Sequence, residues 1–291
     1  MEDLLRRLEF RPFSYEADPD SLVDMHRCRE ILEGSWLDDI DTCRMHHKMV
    51  TRACGSSWVI VVAKAIIGYA DLVGMKDGSG VVCRWRLHSD FHHPRVAARL
   101  FQGLKEQAKI RSLNSLTFFA DHPEVLTDLE EIGIKRDRSY QWIRPDQEEE
   151  LGPEAPSATL NQPLSDFLEM DFRPFLGSPL APGFLLARSF LAAEYGVFHH
   201  CKPLMIEITV DGVRFPACHD GREWFVFRTA KRPGDAQAIR PILANLAKNK
   251  PGRILMTQKA IELAKIIPAS EEIFWDLYTD IEAGDKGDIK S

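Results

Sequence analysis

The residues best placed for proton transfer lie on one β-rich run, residues 81–88. Strand alternation puts Val82, Arg84, Arg86 and His88 on one face and Val81, Cys83, Trp85 and Leu87 on the other. Histidine exchanges a proton near neutral pH, so His88, at the end of the run, is the first candidate for a general base. Asp71, late in the preceding β-rich run, is the second. The alternative, that both are ordinary polar residues at strand ends, stays open.

The arginines make the first face strongly basic. Such a face would repel a cationic substrate and favour one that carries a carboxylate or a phosphate. Residues 81–120 hold seven Lys and Arg against two Asp and Glu, within a chain of net charge −7. This local surplus suits an anionic ligand, although solvated charges on a helix face explain it equally well.

Three histidine clusters raise the question of a metal site: His46-His47, His92-His93 and His199-His200-Cys201. None has Cys-x-x-Cys or His-Glu-x-x-His spacing, and neighbours on a regular element point apart, so we expect no metal. The chain also lacks a Gly-x-Ser-x-Gly nucleophile elbow and a Gly-x-x-x-x-Gly-Lys phosphate loop.

The composition limits the class of protein. The chain has 291 residues, 44% of them hydrophobic and 28% charged, which fits one large or two ordinary domains and excludes fibrous and wholly disordered chains. No apolar run is long enough for a spanning helix and the first residues lack a signal-peptide core, so we expect a cytoplasmic protein without a membrane partner. The acidic balance argues against general nucleic-acid binding.

The N-terminal elements alternate in a regular order. Apolar periodicity and turn signals predict strands at 10–13, 58–63, 66–73, 81–88, 115–120 and 141–144. Helices are predicted from Asp18, at 39–52, at 96–108 and at 124–132, the last ended by Gly133. The order is β-α-α-β-β-β-α-β-α-β.

A polar, proline-containing stretch divides the chain. Residues 147–163 are predicted to be a linker between a domain at 1–146 and a second domain at 164–291. The letters LEFRPF at 8–13 reappear as MDFRPF at 170–175, which leaves a tandem duplication open.

The C-terminal domain begins its periodic part with a β-meander. Runs at 204–210, 213–218 and 224–229 are separated by Asp-Gly pairs, which are hairpin signals. A helix at 236–248, a strand at 253–257 and helices at 261–266 and 273–281 are predicted to follow. We find no phosphate-loop pattern in this part. Dimerisation, recognition of an acceptor substrate or support of the first domain are therefore its expected roles, and a homo-oligomer stays open.

The β-α-α-β-β-β-α-β-α-β order of residues 8–145, and the lengths of these strands and helices, resemble the GNAT superfamily of acyl-CoA-dependent N-acetyltransferases. In that family a strand ends in a hydrophobic residue, an aromatic residue often precedes the loop, and Arg/Gln-x-x-Gly-x-Gly/Ala opens the next helix. Leu87 ends the strand here and Phe91 takes the aromatic place. The loop is His92-His93-Pro94-Arg95-Val96-Ala97. A helix N-terminus attracts phosphate through its dipole and its N–H groups.

The resemblance implies the fold and the activity. The fold is α/β (α+β): a GNAT-like mixed, mostly antiparallel sheet flanked by helices, plus a second, smaller α+β domain that is a candidate second copy. The implied activity is transfer of an acetyl group from acetyl-CoA to a small-molecule or peptide amine, by direct attack of the amine. The implied cofactor-binding residues are Leu87, His88, His92, His93, Arg95, Val96 and Ala97.

Two positions depart from the family pattern. Arg95 stands where the first loop glycine is usual, and Leu129 stands where a tyrosine commonly serves as general acid. Both departures favour an alternative function, a non-catalytic GNAT-like module that binds acyl-CoA or another protein.

Overall fold

The computed structural model describes residues 7–13, 55–75, 78–120, 122–148, 151–159, 175–177, 204–219, 223–227 and 235–281. The chain divides into two compact units, residues 1–137 with 275–291 and residues 138–274. The predicted helices that begin at Asp18 and span 39–52 lie outside the described residues.

The described elements follow the predicted order closely. They are β1 (Glu9–Pro12), β2 (Gly55–Val62), β3 (Ala65–Gly74), β4 (Ser79–Leu87), α1 (Pro94–Ile110), β5 (Ser115–Ala120), α2 (Pro123–Glu131), β6 (Lys135–Ile143), β7 (Ser157–Thr159), β8 (Leu204–Val210), β9 (Val213–His219), β10 (Trp224–Val226), α3 (Asp235–Asn249), β11 (Ile254–Thr257), α4 (Gln258–Ala264) and β12 (Phe274–Asp280). Short 3-10 turns span Ser89–Phe91 and Pro145–Gln147. None of the helices in these ranges has the length and apolar character that a membrane crossing requires.

The sheet of the first unit has the strand order β1-β2-β3-β4-β5-β12. Its neighbours pair antiparallel, except that β4 and β5 pair parallel. Ala63 and Lys64 join β2 to β3 with φ of 47° and 73°, the left-handed pair typical of a two-residue hairpin turn. Trp85, Leu100 and Phe118 are among the buried residues of the core that the sheet forms with α1 and α2.

Strand β12 corrects the prediction of a helix at 273–281. It pairs antiparallel with β5, with Leu277 opposite Phe118. Leu277 and Ile281 are four residues apart, which favours a helical interpretation. In the strand, Trp275 and Leu277 are two residues apart and both pack on the core of the first unit. Only pairing with β5 separates the two interpretations, and local sequence cannot report it.

A β-bulge in β4 corrects the predicted alternation. Asp71 lies opposite Arg84 but Leu72 lies opposite Val82, so Cys83 is an extra residue. Beyond the bulge the alternation is shifted by one residue. Val82 therefore packs in the same core as Trp85 and Leu87, and its predicted place beside Arg84 and Arg86 is wrong.

The second unit contains an antiparallel sheet, β7-β8-β9-β10. Asp211 and Gly212 form the predicted turn between β8 and β9, with φ of 50° and 75°. Residues of β6 also pair antiparallel with β11 in this unit. Buried residues of the sheet, such as Phe215 and Trp224, pack with Ile242 and Leu243 of α3. The first unit is thus a mixed sheet and the second an antiparallel sheet, each packed with helices, and the predicted fold class is confirmed.

The compact units and the predicted sequence domains have different bounds. Residues 138–143 of β6 belong to the second unit, and residues 275–280 belong to the first. Strand β7 lies within the segment 147–163 that composition predicts to be a linker. It occupies the edge place that β1 occupies in the first unit, whereas most of the repeated hexapeptide at 170–175 lies outside the described residues. Composition records where a chain is polar, and strand pairing decides which unit a strand joins.

We predict that Leu277→Ala destabilises the first unit by about 2–5 kcal/mol, because Leu277 is fully buried in the core. Chemical unfolding with tryptophan fluorescence measures the change. Tyr278→Ala is the matched control, since its side chain is 38% exposed and lies on the other face of the same strand. Equal losses of stability in the two variants would contradict the placement of β12.

Glu130 and Arg136 form an ion pair in the first unit. Arg136 Nε lies 2.5 Å from Glu130 Oε1, and Nη2 lies 3.0 Å from Oε2. The guanidinium also lies 4.8 Å from the centre of the Trp275 ring. The hydrogen bond from Arg136, with its charge as a lesser cause, lowers the pKa of Glu130 below its ordinary value of 4.5.

This shift predicts the direction of an acid dependence. The folded carboxyl releases its proton more readily than the unfolded one, so its contribution is complete above about pH 4.5 and is lost as pH falls through the lowered pKa. Arg136→Gln should therefore flatten the acid-side fall in unfolding free energy, by a small amount because the side chains are 41% and 40% exposed. Unfolding titrations across this pH range test it, with Lys135→Gln as control. A variant with the wild-type slope would refute the assignment.

Candidate active site

The parallel pair β4 and β5 separates at the carboxyl ends of its strands. Pairing covers only Ser79–Val82 opposite Ser115–Phe118, while β4 continues to Leu87 and β5 to Ala120. An opening therefore forms beyond Val82, and the carboxyl edge of parallel strands is where open sheets bind ligands. Beside this opening, the rings of Trp85 and Phe118 pack edge to face, with their centres 5.7 Å apart. We call this region the β4–β5 opening.

His88 lies directly after β4. Its N–H donates to Ile67 O at 2.9 Å, and its Nδ1 accepts the N–H of Asp90 at 3.2 Å. The ring stands edge-on to Phe91, and the side chain is 20% exposed. Because Nδ1 accepts, neutral His88 carries its proton on Nε2. The residue is therefore arranged to donate from Nε2.

His93 caps helix α1. Its Nδ1 accepts the Arg95 N–H at 3.1 Å, and its carbonyl accepts from Val96 and Ala97 at 2.8 and 3.1 Å. Pro94 has no N–H to offer. The first-turn donors that a phosphate would use are thus bonded within the chain. An anion fits here through the helix dipole and the exposed Arg95 side chain, rather than through a backbone cradle.

The predicted cofactor residues divide into two groups. Leu87, Val96 and Ala97 are fully buried in the core of the first unit, so their side chains cannot contact a ligand. His88, His92 and His93 are partly exposed, and Arg95 is exposed. Only the second group brings polar side chains to the region between β4 and α1.

His92 contacts helix α2 through a residue that sequence reasoning missed. Its Nδ1 lies 3.1 Å from Asp128 Oδ1, and its Nε2 lies 3.6 Å from Glu124 Oε2. The Asp128 side chain is only 6% exposed, and its Oδ2 has no hydrogen-bond partner among the described residues. The available signal was an acidic residue on the apolar stripe of α2, between Val125 and Leu129.

Asp71, the second predicted base, is fully buried. Ser57 Oγ and Tyr69 OH donate to its Oδ1 at 2.6 and 2.5 Å. It lies four residues along β3 from Ile67, the backbone partner of His88, which is roughly 13 Å at strand spacing. The structure does not bring Asp71 and His88 together, and the hydroxyl contacts join β2 to β3.

The corresponding opening of the second unit is filled by its own chain. A single parallel bridge, Glu223 to Arg253, precedes β10 and β11. Beyond it, Leu176 exchanges backbone hydrogen bonds of 3.1 and 2.8 Å with Val226, and Gly177 N–H donates to Leu255 O at 2.8 Å.

Glycine is required at position 177, in the segment that bonds to both β10 and β11. Its φ is 113°, and a Cβ there would come within 3.1 Å of the Trp224 carbonyl and the Phe225 ring. Because these hydrogen bonds occupy the space between β10 and β11, the candidate site is the β4–β5 opening of the first unit.

The C-terminal half contains a loop pattern that the sequence analysis missed. Lys231, Gly234 and Ala236 have the Arg/Gln-x-x-Gly-x-Gly/Ala spacing, with lysine at the first place. The pattern begins five residues after Val226, the end of β10, and α3 begins at Asp235. Residues 228–234 lie outside the described part of the chain. The spacing alone was the available signal.

Within the described ranges, no group of three or more His, Cys, Asp and Glu side chains is arranged to hold a metal ion. The pair His46-His47 and the cluster His199-His200-Cys201 lie outside those ranges.

Solved structures establish which fold this is. No protein-family model and no curated protein matches the chain. A protein from Pyrococcus horikoshii assigned as an acetyltransferase matches with a TM-score of 0.63 and 9% identity over 94% of this chain and 90% of its own. A GCN5-related N-acetyltransferase from Kribbella flavida matches with a TM-score of 0.56 and 11% identity, over 93% of this chain and 70% of its own. A tandem GNAT protein from the clavulanic acid biosynthesis pathway matches with a TM-score of 0.54 and 13% identity, over 94% of this chain and 98% of its own.

The chain therefore has the GNAT superfamily fold. The similarity to a tandem GNAT protein extends over both halves of the chain. The predicted resemblance, including a GNAT-like second half, is confirmed at the level of the fold.

We predict the neutral tautomers of the three histidines around α1. His88 and His93 carry the proton on Nε2, because each Nδ1 accepts a backbone N–H. His92 carries it on Nδ1, opposite the Asp128 carboxylate. Long-range ¹H–¹⁵N NMR spectra measure this directly, and Asp128→Ala should alter the tautomer of His92 alone. An Nδ1-protonated His88 would contradict the described geometry.

Proposed function

We propose that this protein is an acyl-CoA-dependent N-acyltransferase that transfers an acetyl group from acetyl-CoA to an amine by direct attack. The observation that carries the proposal is the β4–β5 opening, which has His88 and the start of α1 at its edge within a GNAT fold. The acetyltransferases among the structural neighbours support the same reaction class.

Acetyl-CoA supplies the activated acyl thioester in this reaction. The residues proposed to hold its phosphates are Arg95 and His93, at the N-terminus of α1. A guanidinium makes charge-assisted hydrogen bonds to phosphate oxygens, which replaces part of what a glycine-rich loop supplies through backbone N–H groups. Leu87, Val96 and Ala97 would act only by shaping the backbone beside the ligand, because their side chains are buried.

His88 is the proposed catalytic residue. Because Nδ1 accepts the Asp90 N–H, the group proposed to act is the Nε2 N–H of His88. As a hydrogen-bond donor it stabilises negative charge that develops on a carbonyl oxygen. A role as base requires the Asp90 hydrogen bond to break first. Asp71 is a weaker candidate for the base, since hydroxyl groups surround it and it is fully buried.

The acceptor is proposed to be a small-molecule or peptide amine that also carries a negative group. Arg86 lies on the sheet face opposite the helical core, paired across the strands with Tyr69. A cation on this face disfavours polyamines and favours an acceptor with a carboxylate or a phosphate.

A second candidate function is a non-catalytic acyl-CoA-binding or protein-interaction module. Two observations favour it. The first-turn N–H groups of α1 are already bonded to His93, and Leu129, at the place of the family's tyrosine, is fully buried. Binding without turnover would select this alternative.

Calorimetric titration with acetyl-CoA and with desulfo-CoA tests the cofactor proposal. We expect one molecule per chain and roughly 10- to 100-fold weaker binding in Arg95→Glu, which removes a charge-assisted contact and adds repulsion. Lys109→Glu, an equal charge change in the last turn of α1, is the matched control. Arg95 is preferred to Ala97 because Ala97 is buried and a charge there would unfold the core.

Comparing variants of the two halves shows which half of the chain binds the cofactor. Loss of binding in Ala236→Glu, with Arg95→Glu unaffected, would place the cofactor in the second unit and overturn the proposed site. With the cofactor bound, His88→Ala should lower kcat far more than it weakens the binding of acetyl-CoA. Absence of acetyl-CoA binding in the wild-type chain would refute the transferase proposal.

A further inference from the structure

A cavity of about 470 Å³ lies within the second unit. The 3-10 turn after β6, helix α3 and the loop after α4 form its walls. The lining residues are Arg144, Gln147, Glu148, Arg240, Lys265, Ile267, Pro268 and Ala269. Its volume falls in the range of about 300–1,000 Å³ that is usual for small-molecule sites.

The charges of this cavity are unbalanced. Arg144, Arg240 and Lys265 line it against a single acid, Glu148. The side chains of Arg144 and Lys265 make no hydrogen bond or ion pair with any residue in the described part of the chain. A surplus of two positive charges at one concavity, in a chain of net charge −7, predicts an anionic ligand.

Arg240 is held in place at the wall. It is half-buried on α3, and its Nη1 donates to the carbonyl of Ala264, the last residue of α4, at 2.9 Å. A guanidinium has five N–H donors in a rigid plane. One contact fixes its position, and the remaining donors are not used by the described residues. Such a group is preorganised for phosphate or carboxylate oxygens.

The wall formed by the loop after α4 is apolar. Ile267 is 79% exposed, and Pro268 and Ala269 follow it. A large aliphatic side chain left in water beside three cations would be covered by the apolar part of an organic anion, which removes that surface from water.

We propose that this cavity binds a small organic dianion with a short apolar part, either a phosphate monoester or a dicarboxylate. A phosphate monoester carries close to two negative charges at neutral pH, which matches the surplus at the cavity. The proposal uses only residues of the second unit and does not depend on acyl transfer in the first.

Titrations of the full chain with phenyl phosphate, phthalate and inorganic phosphate test the proposal by calorimetry. We expect saturable binding of the two organic dianions, tighter than that of inorganic phosphate and weaker at high salt. Lys265→Gln and Arg144→Gln should each weaken it about tenfold through loss of one charged contact. Arg144 and Lys265 are exposed, and neither substitution removes the hydrogen bond that Arg240 donates to Ala264 of α4.

Two controls make the result decisive. Lys259→Gln removes an exposed cation of α4 that does not line the cavity, and it should leave binding unchanged. Arg95→Glu in the first unit should also leave it unchanged. No saturable binding, equal binding in Lys265→Gln and wild type, or loss only in Arg95→Glu would each overturn the proposal. Equal binding of both organic dianions would identify charge as the selected property, and preference for phenyl phosphate would identify phosphate.

Discussion

Parallel pairing between β4 and β5 stops after four residue pairs, and the geometry of the first unit follows from this limit. The bulge at Cys83 lies immediately after the last paired residue, Val82. A bulge bends its strand and increases its twist, so the outer half of β4 departs from β5. The same bulge shifts the side-chain alternation, which turns Trp85 and Leu87 into the core. Without it, β4 and β5 could pair to their ends and close the opening.

The three histidines around the opening are oriented by hydrogen bonds to nearby backbone groups and to one buried carboxylate. His88 and His93 each use Nδ1 to cap a turn or helix, and His92 contacts the buried carboxylate of Asp128. The two caps involve residues two positions apart, whereas the contact of His92 with Asp128 joins residues 36 positions apart. In the second unit, Leu176 and Gly177 instead form backbone hydrogen bonds with Val226 of β10 and Leu255 of β11. Among the described residues, the two units therefore differ in whether backbone hydrogen bonds occupy the space between their central strands.

Local sequence was a good guide to elements and a poor one to pairing. The Asp211-Gly212 turn, Gly133 after α2 and the apolar stripe of α1 are encoded within a few residues, and these predictions are confirmed. The bulge and β12 depend on neighbours in the sheet, so periodicity alone misplaced Val82 and predicted a helix for β12. At the candidate site, spacing could locate His88, but it could not report that Nδ1 is engaged, that Asp128 reaches His92, or that Ala97 is buried.

Strand β12 has a consequence for how the protein is made. Its partner β5 pairs Ser115 with Asp280 and Ala120 with Trp275, contacts between residues 155 to 165 positions apart. A chain emerging from the ribosome can form the hairpin of β2 and β3 early, but one edge of β5 stays unpaired until residue 280 has been synthesised. Exposed strand edges promote association between chains. Assembly of the first unit therefore waits for the synthesis of residues 138–274, and the nascent chain must protect this edge until then.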